Sequence, residues 1–349
     1  MKVQTLIANL TADDEAARID AADDLGHAGA SEAIAPLVER LAVETSRKVR
    51  ETIFLALERI DHPDVPIQVV AMLGGEDPFL RNQTVGLLQR KGASAVPVLV
   101  ESMRSADPDV RKFALDAAAG ISDAAVHPIY ESALRDPDIN ILIAALEYLG
   151  EQRLGGFKNA VEEIFLAATQ PMLVCAAFSA LLQIGDATSW NCIRQRYPSA
   201  ATVPNWQLGW WLRALGDFGP ATDTEVFHEI LRNHDGKVAR DAVDALARFQ
   251  ARHRRVEISG EFWATLRRML ETEMPPEDRL QLLRVLGGFG APAEIADYLA
   301  ARLADGDRWT KLGAIEGLNR LGRPDLTSQW RDRCGKVMDA EVAEALGDS

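Results

Sequence analysis

Apolar residues recur along this chain at helical spacing, in runs that are short and that repeat. Val110, Ala114 and Ala117 fall on one face of a predicted helix. Val96, Leu99 and Met103 before it, and Val126, Ile129, Tyr130 and Leu134 after it, make partner segments of the same period. The polar residues between the runs supply the ends. Asp107 is a good N-cap acceptor, and Pro108 suits the first helical position, where a backbone N–H would have no intrahelical partner. Asp109 complements the positive end of the helix, and Gly120 is expected in the left-handed conformation that stops it. Nothing reads as a strand, because β-branched alternation and Asn-Gly hairpin signals are lacking.

The helical grammar repeats about every thirty residues. Asp107-Pro108-Asp109-Val110-Arg111, running to Gly120, matches Asp136-Pro137-Asp138-Ile139-Asn140, running to Gly150, a step of 30. Arg18, Arg50, Arg81 and Arg111 occupy equivalent places at steps of 32, 31 and 30. Terminal glycines continue the series at Gly185, Gly219, Gly290 and Gly322, with a weaker unit ending near Phe249. One helical pair cannot bury its apolar face alone, so the units are expected to stack, and the abundant alanines let them approach closely.

The Asp-Pro-Asp-Val-Arg pattern followed by alanines and a terminal glycine resembles HEAT repeats, especially the short bacterial form called PBS-lyase HEAT-like repeats. Asp107 to Gly120 carries the resemblance best; Asp77-Pro78-Phe79-Leu80-Arg81 and Asp235-Gly236-Lys237-Val238-Ala239-Arg240 carry it in part. The resemblance implies an all-α fold, an α-solenoid built as a right-handed superhelix of roughly ten stacked hairpins. On this reading residues 1–322 form the array, best defined over 12–150 and degenerate over 151–322, and residues 323–349 cap it through Trp330 and the Val337–Leu346 pattern. It also implies that one helix of each pair lines a concave, macromolecule-binding surface, and that Arg18, Arg50, Arg81 and Arg111 form a structural ladder between neighbours.

Charge and composition narrow the function. With 38 Lys+Arg against 52 Asp+Glu among 349 residues, the net charge is −14, which disfavours general attachment to nucleic acid or anionic lipid. No apolar run approaches the roughly 18–20 residues that span a bilayer, and the N-terminus turns acidic at Asp13, too soon for a secretory signal. Cys175, Cys192 and Cys334 form no CxxC and cannot all pair, which points to a reducing cytoplasm. Phosphate-loop, zincin and nucleophile-elbow motifs are absent from the sequence, so no catalytic residue, metal site or cofactor is expected. Gly287-Gly288-Phe289-Gly290 follows a helix and reads as its terminal turn; His228-Glu229 reads as helix surface, and Cys175 as a buried thiol.

Two clusters remain. Aromatics are only 6% of the chain, yet Trp190, Tyr197, Trp206, Trp210 and Trp211 lie close together. On a helix from about Asn205 to Phe218, Leu208, Trp211, Leu212, Leu215 and Phe218 make the core stripe, with Trp206, Trp210, Arg213 and Asp217 opposite. An exposed tryptophan–arginine stripe has the composition of an interface hot spot. Arg240, Arg252, Arg254 and Arg255 belong to a local basic accumulation that suits an acidic or phosphorylated protein segment, although Asp241 and Asp244 interleave with it. The expected function is a non-catalytic protein-binding adaptor or scaffold. The alternative is bilin- or tetrapyrrole-lyase-like handling of a cofactor; HEAT-like DNA binding conflicts with the acidic balance.

Overall fold

The structure is a computed structural model that describes residues 2–253, 256–290, 293–334 and Val342. The stretch from Val337 to Leu346 read as capping helices therefore lies, apart from Val342, outside the described residues. The described residues form successive helical pairs with no strand, only an isolated bridge between Val256 and Phe289. This is an all-α solenoid. It divides into two compact units, Met1–Tyr148 and Leu149–Ser349.

In the first unit the pairs are Val3–Asn9 with Glu15–Ala28, Ile34–Val43 with Arg47–Arg59, Asp64–Val69 with Pro78–Lys91, and Val96–Ser102 with Pro108–Ala119. The second helix of each pair packs on the second helix of the next, and in the other layer Ile34–Val43 packs on Asp64–Val69. Side chains at the N-caps start these helices. Asp14 accepts from the Ala17 N–H, Ser46 from Val49, Asp77 from Phe79 and Leu80, and Asp107 from Asp109, with Pro78 and Pro108 at the first helical position. Gly120 departs from expectation. It ends its helix in the right-handed conformation, φ −87°, and glycine is there for space, since a Cβ would lie 2.5 Å from the Gln89 side chain.

The repeating arginines form the ladder. Each reaches back to the carbonyl six residues earlier: Arg18 to Ala12 (2.9 Å), Arg50 to Glu44, Arg81 to Gly75 (2.6 Å) and Arg111 to Ser105 (2.9 Å). Three also reach forward to an acid in the next inter-helix loop. Arg18 pairs with Glu44 at 2.9 Å, Arg50 with Asp77 at 2.7 Å, and Arg111 with Asp136 through two parallel bonds of 2.7 and 2.9 Å. A guanidinium is suited to this because its planar fork serves a carbonyl and a carboxylate at once. Glu44 is fully buried. Burial pushes its pKa up, but the Ser46 N–H and the guanidinium groups of Arg18 and Arg40 outweigh that and bring it to about 2.

The second unit repeats the two layers. Its pairs are Lys158–Ala167 with Pro171–Ile184, Ser189–Arg196 with Leu208–Phe218, Thr224–Asn233 with Gly236–Arg252, Gly260–Glu271 with Pro276–Leu286, and Ala293–Asp305 with Arg308–Arg320, followed by Pro324–Cys334. Leu208–Phe218 lies so close to Gly236–Arg252 that a Cβ on Gly216 would come within 2.5 Å of the Ala245 carbonyl oxygen. His228 is not surface, as the sequence suggested, but 7% exposed. Its ring stacks on Phe262 and its nitrogens meet Glu225 (3.1 Å) and Thr265 (3.2 Å), because the first helices of neighbouring pairs pack on that side.

Candidate functional site

The aromatic cluster sits in the second unit and divides into two populations. Asn205–Gln207 is a 3₁₀ turn that leads into Leu208–Phe218. Trp211 is 1% exposed; its indole lies 5.2 Å from that of Trp190 and donates to the Tyr197 carbonyl at 3.3 Å. Trp190 in turn donates to Asp223 at 2.7 Å, and the Tyr197 hydroxyl donates to Gln207 at 2.6 Å. Every polar handle of these buried rings is satisfied, as a packed core requires.

Trp206 is different. It is 59% exposed, and Trp210, one turn on, is half-buried with its ring edge-on to Phe178 at 5.9 Å. Phe178 belongs to Pro171–Ile184, which packs against Leu208–Phe218. That helix directs Val174, Ala177, Phe178 and Leu181 inward, leaving Met172, Ser179 and Gln183 exposed and Cys175 half-buried on the other side. Met172 is 70% exposed. Exposed apolar area is thus carried by Met172 at the start of Pro171–Ile184, a helix without a charged residue, and by Trp206 in the turn before Leu208–Phe218, with Trp210 half-buried one turn on. Sequence alone did not pick out Met172; its position opposite the apolar stripe of its helix was the available signal. Cys175 is half-buried rather than buried. The buried thiol is Cys192, which burial, aided by the charge of Glu162, pushes up to about 11.

The arginines singled out with the tryptophans are engaged. Arg213 pairs with Asp217 at 3.4 Å, and Arg248 reaches the same carboxylate at 3.6 Å. Arg240, exposed on Gly236–Arg252, lies 3.7 Å from Asp278 of the next pair. Arg252 donates to the carbonyls of Gly216 (3.4 Å) and Gly219 (3.1 Å), closing the end of the neighbouring helix. Arg254 and Arg255 lie outside the described residues. Trp206 is exposed and Trp210 and Arg213 are half-buried, Trp210 against Phe178 and Arg213 beside Asp217, while Arg240 and Arg252 serve contacts between repeats.

A cavity of about 700 Å³ opens nearby, between the loops that join Thr224–Asn233 to Gly236–Arg252 and Gly260–Glu271 to Pro276–Leu286. No tryptophan lines it. Asp244, on its wall, has its pKa raised by burial first and then by the charges of Asp241 and Asp278, with Arg248 opposing. Among the described residues no group of three His, Cys, Asp or Glu side chains is arranged to hold a metal ion, and no helix is long and apolar enough to cross a membrane.

Comparison with known proteins agrees with the repeat architecture. Residues 3–89 match the model of HEAT repeats. No curated protein matches the chain. Among solved structures, an engineered protein is 18% identical with a TM-score of 0.37, over 99% of this chain and 97% of its own. YibA of Escherichia coli is 16% identical with a TM-score of 0.41, over 71% of this chain and 93% of its own. The complex of CpcE and CpcF of phycocyanin lyase from Nostoc is 17% identical with a TM-score of 0.29, over 72% of this chain and 94% of its own. None of the three bears on what this chain does.

Proposed function

We propose that this α-solenoid, whose residues 3–89 match HEAT repeats, is a non-catalytic protein-binding scaffold of the cytoplasm, and that its second unit holds the partner through the Trp206, Trp210 and Met172 surface. The observation that carries this is the contrast within one cluster. Trp190 and Trp211 are buried and hydrogen-bonded, whereas Trp206 is 59% exposed to water. Covering a large apolar side chain that folding has left in water contributes favourably to association, and aromatic anchors dominate interface energetics. Arg213 borders the surface at 40% side-chain exposure and supplies a polar rim. An acidic or phosphorylated segment is less well supported as the partner, because it would have to displace Asp217, Asp278 or backbone carbonyls already held by the arginines.

Affinity capture from native lysate tests the proposal when wild type is compared with Trp206→Ala and Met172→Ala. Each variant should fold as wild type and lose the specific partner by about tenfold or more, the scale of an aromatic anchor. A partner retained at wild-type level by both variants would place recognition elsewhere.

A further inference from the structure

After Arg111 the ladder register holds Leu142, Val174 and Ala239 before Arg279 and Lys311 restore a basic residue, and a cavity lies at the Ala239 step. The ladder position is defined by backbone register: it is the residue whose N–H bonds to the N-cap carbonyl, as Arg18 does to Asp14, Arg50 to Ser46, Arg81 to Asp77 and Arg111 to Asp107. In the helix Gly236–Arg252 the residue in that register is Ala239, bonded to the Asp235 carbonyl and 7% exposed. The acceptors that a ladder arginine uses are nevertheless in place. Six and five residues before Arg111 stand Ser105 and Ala106, whose carbonyls accept its guanidinium. Six and five before Ala239 stand Asn233 and His234, both lining the cavity, and among the described residues neither carbonyl accepts a backbone hydrogen bond.

The forward acid is present too. Two of the three forward acids, Glu44 and Asp136, lie two residues before the residue whose carbonyl starts the next helix, Ser46 and Asp138, whereas the third, Asp77, is that residue itself. At the Ala239 step that residue is Pro275, and two before it is Glu273, which lines the same cavity. Glu273 is exposed, whereas Glu44, which has its arginine, is fully buried. At the Arg111 step a smaller cavity of about 500 Å³ has Arg111 in its own wall. Arg240 does not fill the place of Ala239: one residue on, it is turned by about 100° around the helix and faces Asp278. Asp244 adds a further carboxyl to the cavity wall.

We propose that this cavity is a socket for a guanidinium, occupied by an arginine side chain of a bound protein that completes the ladder in place of Ala239. The inserted fork would donate to the Asn233 and His234 carbonyls and to Glu273, as Arg111 donates to Ser105, Ala106 and Asp136. The proposal deepens the scaffold reading and rests on it for the source of the arginine, but the socket itself is testable with a defined peptide. The rim arginines Arg232, Arg240 and Arg268 keep the cavity from acting as a general cation trap, so the fork geometry decides which side chain enters.

The test is titration of the full chain with acetyl-Ala-Arg-Ala-amide, and with its lysine and citrulline counterparts, followed by NMR and by thermal shift. The arginine peptide should bind saturably, and the other two at least about tenfold more weakly, since citrulline keeps the shape without the charge and lysine the charge without the fork. Glu273→Gln, at an exposed position, should weaken the arginine peptide by about tenfold. Ala239→Arg should raise the melting temperature and abolish peptide binding by filling the socket from within. No saturable binding of the arginine peptide, or equal binding of all three, overturns the proposal; so does Glu273→Gln binding at wild-type strength, even if Ala239→Arg fails to fold. Peptide binding without capture of any partner would sink the scaffold reading and leave the socket standing, and capture without peptide binding would do the reverse.

Discussion

Neighbouring tryptophans in this chain do opposite work, and single substitutions separate them. Trp211→Ala removes a ring that is 1% exposed and touches Trp190 at 5.2 Å, so it should lower unfolding stability by about 3–5 kcal/mol. Trp206→Ala removes a ring mostly in water and should change stability by about 0.5 kcal/mol or less; denaturant titration of both variants checks the contrast. Glu44 gives a second residue-scale expectation. Its pKa is depressed to about 2 in the fold from an ordinary 4.5, so its ionised form stabilises the native state above pH 4.5, and that stability is lost as pH falls toward 2. Glu44→Gln should therefore be least stable relative to wild type at neutral pH, with the difference shrinking between about pH 5 and 2. An unchanged gap across that range would show that the carboxylate does not titrate with folding.

At the scale of helices, close approach sets the stack. Gly216 faces Ala245 with no room for a methyl group, so Gly216→Ala should cost about 1–3 kcal/mol by forcing apart Leu208–Phe218 and Gly236–Arg252. Thermal melts would show it, and a neutral result would mean the two helices are looser than the structure has them. Much of this level is legible in the sequence. The core stripe Leu208, Trp211, Leu212, Leu215 and Phe218 follows from helical period alone, and all five are buried. The ladder follows from the spacing of Arg18, Arg50, Arg81 and Arg111, because repeated chemistry at a repeated register meets the same neighbours each time. His228 was misplaced because a first-layer helix is covered on more than one side, and a single-helix projection shows only the stripe, not the second neighbour. Gly120 was misplaced because glycine serves both left-handed backbone and close packing, and the sequence does not say which. The gap at Ala239 was hidden for a related reason. Arg240 keeps an arginine in the motif while moving it by one residue, which on a helix is a different face.

Over the whole chain, repetition explains both what is plain and what is obscure. A repeat needs only nearest-neighbour contacts, so a few residues per unit specify the architecture; the rest are free to vary, and binding is written in departures from the pattern. Trp206, Met172 and the arginine missing at Ala239 are such departures, and all three fall in the second unit. The central claim is that the Trp206 and Met172 surface is where a protein partner sits. Hydroxyl-radical footprinting of the free chain and of its captured complex tests that most directly. The account predicts fast oxidation of Met172 and Trp206 in the free chain, a several-fold slowing of both in the complex, and slow oxidation of Trp211 in each. Unchanged rates at Met172 and Trp206, with protection appearing elsewhere on the chain, would contradict it.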